Sequence, residues 1–198
     1  MRMRKTVAVL FFGMMLAAGN LRGQAVILED ALQDMNVALN LPQNIEMIPI
    51  VDQDDLEYQL AFRIPGGKYE VRISLFPMSS LVRMSGNGDI DRYVPLLSMG
   101  LLAAVSKESL YFCRTAELPG PTVRKEFGAD SGMTALVNGN KSAFGKGYRL
   151  VAVAFLYKSG KGVVVVSFLY DKPADLEMDG LEFSQAYYCF RFNENEPE

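Results

Sequence analysis

The stretch GYRLVAVAFLYKSGKGVVVVSFLYDK, residues 147–172, decides the fold. Two runs rich in β-branched and aromatic residues, Tyr148 to Tyr157 and Val163 to Tyr170, flank the loop Lys158-Ser159-Gly160-Lys161-Gly162. Four consecutive valines make a poor helix, because branching at Cβ restricts the side chain against the preceding turn. Two glycines in a short loop supply the positive φ angles that hairpin connections need. The stretch therefore reads as an antiparallel hairpin. Both arms are apolar at odd and even positions alike, the pattern of central strands covered on both faces. The rest of the chain must supply two covering layers.

Working outward, Leu56, Tyr58, Leu60, Phe62 and Ile64 alternate with Glu57, Gln59, Ala61 and Arg63. After Pro65-Gly66-Gly67 the alternation resumes as Tyr69, Val71, Ile73 and Leu75 against Glu70, Arg72 and Ser74. Period-two patterning of this kind predicts a second hairpin with one wet face, on which Arg63 and Glu70 are neighbours across the turn. Leu28, Leu32, Met35 and Leu39 recur at helical spacing and predict a helix over 28–39, ended by Pro42. Ile45 and Met47 before Pro49 mark a short edge strand. Val94 to Val105 is apolar on nearly every side and carries no charge, which suits a buried helix against the sheet, capped by Asp91 and with Pro95 in its first turn. Leu110 to Cys113 either continues that helix or begins a strand. Thr122 to Phe127 fits one helical turn, Gly132 to Val137 a short strand, and Asn138 to Gly147 a Gly-rich loop. Leu176 to Tyr187 is ambiguous and in part helical, and Tyr188, Phe190 and Phe192 alternate as a closing strand. The fold class is α+β: a largely antiparallel sheet of five to seven strands with packed helices, an α/β sandwich, in a single domain over 26–192.

Residues 1–25 have the layout of a secretory signal. Arg2, Arg4 and Lys5 precede an apolar run from Thr6 to Ala18, and Gly23-Gln24-Ala25 offers a small-x-small cleavage site, with Ala17 to Gly19 a close competitor. The expected location is exported, periplasmic or secreted. Loss of this segment removes four bases and no acid, taking the formal charge from −3 to −7. A chain so acidic lacks the clustered Lys and Arg that phosphate backbones require, so nucleic acid is not an expected partner. No later segment is long and apolar enough for a membrane span. Asn193 to Glu198 reads as a solvated acidic tail.

The order helix, hairpin (Leu56 to Phe76), apolar helix (Val94 to Val105), hairpin (Tyr148 to Tyr170) and terminal Tyr188-Cys189-Phe190-Arg191-Phe192 resembles the PsbP-like family of exported or lumenal α/β sandwich proteins. The resemblance implies a non-catalytic accessory or binding module, and it carries no functional residue with it.

The chain has no His and no Trp. Ser-His-Asp and Cys-His catalysis, HExxH zinc sites and His-ligated haem are thereby excluded, and two cysteines are too few for Cys-rich zinc or iron-sulfur sites. Gly139 to Gly147 has glycines one residue too far apart for a phosphate loop, with Gly147 where Ser or Thr is required. Asn87, Asp89 and Asp91 have the spacing of a calcium loop, but Arg92 stands where Gly is needed and Ser98 where Glu is needed. Asp52, Asp54, Asp55 and Glu57 form an acidic patch suited to a solvated turn, to weak cation binding or to an acid/base pair. Cys113 and Cys189 are a candidate disulfide, since export permits oxidation and the count is even; two separate buried thiols are the alternative. The tyrosines among Tyr148, Phe155, Tyr157, Phe168, Tyr170, Tyr187, Tyr188 and Phe190 suit either core or a binding patch.

These observations predict an exported, non-enzymatic module that recognises another protein and uses no cofactor. A carrier of a small apolar ligand between the 94–105 helix and the sheet is the alternative, and a cation-dependent hydrolase using the acidic residues is third.

Overall fold

A computed structural model describes residues 19–51, 56–86, 89–106, 113–139, 144, 145, 147–172 and 186–193. In chain order the elements are α1 (Gly19–Asp34), β1 (Val37–Leu39), β2 (Glu46–Met47), β3 (Leu60–Arg63), β4 (Tyr69–Pro77), α2 (Met78–Met84), α3 (Ile90–Ser106), β5 (Arg114–Glu117), α4 (Gly120–Thr122), which runs into a π turn (Val123–Phe127), β6 (Ser131–Asn138), β7 (Leu150–Lys158), β8 (Gly162–Tyr170) and β9 (Phe190–Phe192). Seven strands form one antiparallel sheet in the order β2-β3-β4-β8-β7-β6-β5, and β1 pairs with β9 in a separate ribbon. The protein is an α+β fold with helices packed on an antiparallel sheet.

The 147–172 hairpin lies at the centre of that sheet. Lys158 faces Gly162 across its tip, and Leu150 faces Tyr170 at its base. Gly162 sits at φ 136°, and a Cβ there would lie 2.2 Å from the Phe76 carbonyl oxygen, so only glycine lets β8 begin against β4. All nine residues of β8 are buried, as expected of a strand covered on both faces. The second hairpin joins it through β4, whose nine residues pair with β8 from Tyr69 opposite Tyr170 to Pro77 opposite Gly162.

Each face of the sheet has its own core. On one side Leu28 of α1, Met35 just after it, Val37, Val123, Phe127, Phe190 and Phe192 pack on Tyr69, Val71, Ile73, Val164, Val166 and Phe168. On the other, Leu81 of α2, Leu97, Leu101, Leu102 and Val105 of α3, and Phe144 pack on Ala61, Val151, Val153, Phe155, Val163 and Val165. Among the described residues, no helix is long and apolar enough to cross a membrane.

Four expectations change. The first helix ends at Asp34 and not at Leu39, because Asn36 takes a left-handed φ of 52° and turns the chain into β1. The apolar helix begins at Ile90, so Asp91 lies within its first turn and Pro95 lies beyond that turn. The third concerns the second hairpin, whose polar face is not wet: Ala61, Glu70 and Ser74 are all buried. The alternation gives the side each residue faces, but β4 is an inner strand, and α2, α3 and Phe144 cover that side. The fourth is the disulfide, which the two-core arrangement rules out, as shown below. Pro49 does leave β2 at the sheet edge. Leu110 to Phe112, the greater part of the 176–187 segment and the tail after Asn193 lie outside the described residues.

Candidate binding site

The buried charge originates in β4. Odd positions of this strand enter the apolar core beneath α1, so Glu70, Arg72 and Ser74 are directed to the α3 side. Glu70 is only 3% exposed. A carboxylate so placed requires a partner, since an unpaired buried charge is far costlier than an unpaired hydroxyl. Arg72 supplies it: its Nε donates to Glu70 Oε1 at 2.6 Å, and another guanidinium nitrogen donates to the Phe144 carbonyl oxygen. The Arg72 guanidinium also lies 4.8 Å from the centre of the Tyr58 ring and 5.0 Å from that of Phe144, near enough for the ring faces to favour the cation.

Tyr148 links this pair to the surface. Its hydroxyl donates to Glu70 Oε2 at 2.5 Å and accepts from an Arg63 guanidinium nitrogen at 3.3 Å. Arg63 stands opposite Glu70 in the β3–β4 register and 3.8 Å from its carboxylate, so the neighbours expected across the turn are neighbours. Burial, followed by the hydrogen bond to Glu70, pushes the Tyr148 phenol up to about 12. The hydrogen bond to Tyr148 raises the Arg63 guanidinium, with smaller contributions from the charges of Glu70 and of Glu46, which faces Arg63 from the edge strand.

The outer end of this network opens on a hollow of about 360 Å³, lined by Arg63, Gly67, Lys68, Tyr69, Tyr148, Asp171 and Lys172. The β3–β4 turn, the start of β4, the end of β8 and the approach to β7 build it. Gly67 is required in that turn, since a Cβ there would fall 2.9 Å from the Ile64 carbonyl oxygen. Three cationic side chains and one carboxylate line the hollow, an excess of two positive charges on a chain whose net charge is negative. Arg63 keeps 43% of its side-chain exposure. Its guanidinium carries five N–H donors, of which the contact with Tyr148 takes one. An oriented guanidinium of this kind suits a planar, two-oxygen anion.

The residues singled out from sequence fall elsewhere. Glu57 is exposed, and Asp52, Asp54 and Asp55 lie outside the described residues. Among the described residues no three Cys, Asp or Glu side chains form a group able to hold a metal ion. Cys113 and Cys189 are not bridged to each other. Cys113 packs against the core beneath α3 and Cys189 belongs to the core beneath α1, so the sheet separates them and the expected bridge does not form. Apolar neighbours pointed to burial for each thiol and not to proximity. Burial pushes the Cys189 thiol up to about 12. Of the aromatic set only Tyr148 joins the site; Tyr187, Tyr188 and Phe190 pack around Phe127.

Sequence reasoning placed Arg63, Glu70 and Arg72 on a solvated face and did not single out Lys68, Asp171 or Lys172. The missed signal is local: Glu70 and Arg72, opposite charges two residues apart, sit within a strand whose alternate residues are all large and apolar. Comparison of the chain with family models, with curated proteins and with solved structures gave no match.

Proposed function

We propose that the protein is an exported, non-enzymatic binding module that recognises another protein, with the basic hollow around Arg63 as its recognition site. The observation that carries this reading is the Arg63–Tyr148–Glu70–Arg72 network, which holds one guanidinium at the rim of a positively charged hollow. Arg63 is thereby partly ordered before any partner arrives, and less side-chain freedom is lost on binding. The same network argues against a catalytic role for its members. The Tyr148 phenol is pushed up to about 12, which takes it away from proton exchange near neutral pH, and both Glu70 oxygens are already engaged in hydrogen bonds. An apolar carrier finds less support, because Leu97, Leu101, Leu102 and Val105 of α3 already pack on the sheet. The PsbP-like resemblance and the secretory layout of residues 1–25 agree with an exported accessory role.

Affinity capture from the exported fraction, with wild-type and Arg63→Gln baits side by side, tests the proposal. The expected result is a partner protein retained by the wild type and depleted with the variant. Identical recovery with both baits overturns the assignment of the hollow.

A further inference from the structure

We infer that the group taken by the hollow is the carboxylate of an acidic peptide segment in the partner protein. This rests on the reading of the hollow as a protein-recognition site and names its chemistry. Lys68 and Lys172 are exposed and flank Arg63, while Asp171 stands among them. Two lysines beside one guanidinium call for an anion, and the planar fork of Arg63 matches the two oxygens of a carboxylate in a bidentate pair. Asp171 decides between classes of anion. Its carboxylate repels a dianionic phosphate more strongly than a singly charged carboxylate, and it can accept from the backbone N–H groups that accompany a carboxylate in a peptide. A hollow of about 360 Å³ is also larger than an isolated inorganic anion needs and has room for side chain and adjoining backbone together. Tyr148 is a positioning residue: its hydroxyl, itself fixed by Glu70, sets the orientation of the Arg63 guanidinium.

The test uses the purified chain and a fluorescent peptide of alternating Glu and Gly, with the corresponding Gln and Gly peptide, inorganic phosphate and phosphatidylglycerol vesicles as further arms. The Glu peptide is expected to bind, to weaken as salt rises, and to lose about tenfold or more in affinity with Arg63→Gln. Lys172→Gln should weaken it less, and Lys125→Gln, at an exposed lysine outside the hollow, should leave it unchanged. Tyr148→Phe should weaken the Glu peptide while leaving its salt dependence in place, because it disorients a charge without removing one. Equal binding of the Gln peptide, tighter binding of phosphate or vesicles, or full affinity in Arg63→Gln overturns the inference. If a captured partner depends on Arg63 but the Glu peptide neither binds nor competes with it, the acidic-segment chemistry fails while the recognition site stands. If no partner depends on Arg63, the broader reading fails as well.

Discussion

The two faces of the central sheet do different things with the same strands. Beneath α1 the core holds no charged side chain, and aromatic rings fill it: Phe127 stacks on Phe190 with centroids 5.6 Å apart, and Tyr69 meets Phe168 edge-on at 5.8 Å. On the other side, Glu70, Ser74 and Ser167 lie on the sheet face beneath α3, and Ser98 and Ser106 belong to α3 itself. Tyrosines aside, these five are the buried polar side chains among the described residues. The difference teaches that one face can supply cohesion by burial alone, while the other carries a polar network that begins in the interior and ends at a surface hollow. Such a network contributes little net stability and is severe only when half of it is removed.

The largest effect tests whether the α3 face is truly interior. Val165→Asp places an unpaired charge at a fully buried position of the central strand, and the cost should be about 5 kcal/mol or more, enough to prevent folding. Normal expression and an unchanged melting temperature would show that this face is open to water.

Removing one partner of the buried pair comes next. Arg72→Met leaves Glu70 buried without its cation and should cost about 3 to 5 kcal/mol in denaturant unfolding. Replacing both, as Glu70→Leu with Arg72→Met, should recover much of that loss, since a well-packed apolar pair of similar size is often neutral. Equal losses in the single and double variants would mean that the two charges do not depend on each other.

A smaller effect appears at alkaline pH. The folded phenol of Tyr148 is raised to about 12, while an unfolded one ionises near ~10. Its contribution to stability is therefore complete below pH ~10 and is lost as pH rises toward 12, because the unfolded chain releases the proton first. Stability measured across that range should fall with pH in the wild type and fall less steeply in Tyr148→Phe. Parallel curves for the two proteins would show that the Tyr148 phenol is not raised by its burial and its bond to Glu70.

The smallest effect concerns the serines. The hydroxyls of Ser74 and Ser167 are buried with no hydrogen-bond partner among the described residues, and Ser167 stands opposite Arg72 in the register. Ser167→Ala should be neutral or stabilise by up to about 1 kcal/mol, since it removes a buried group that makes no bond. A loss of stability would show that this hydroxyl has a partner and that the polar network is wider than described.

Much of the fold was legible because the period of the sequence matched the burial. The all-apolar arms of the 147–172 hairpin announced central strands, and Pro49 announced an edge. The end of α1 was missed because Leu39 continues a helical spacing, whereas a left-handed Asn36 ends the helix five residues early, and no periodicity encodes a single dihedral angle. The strand Arg114–Glu117 gave no signal at all: its four residues are exposed, so its sequence lacks the alternation that burial imposes. The site was half legible. Arg63 and Glu70 could be paired across a turn from their positions, but whether their face meets water depends on Phe144 and Tyr148, more than seventy residues further along. Lys68, Tyr148 and Lys172 come together only through strand order, which no local pattern contains.

The central claim is that the charged end of the α3 face serves recognition, with Arg63 as the group that meets the partner. Thermal unfolding and Glu-peptide titration of Arg63→Gln, carried out on the same preparation, test it most directly. The account predicts a melting temperature close to that of the wild type, because Arg63 is half-exposed and Arg72 already neutralises Glu70, together with an affinity reduced about tenfold or more. A large fall in melting temperature with peptide affinity intact would contradict it and make Arg63 a residue of the fold alone.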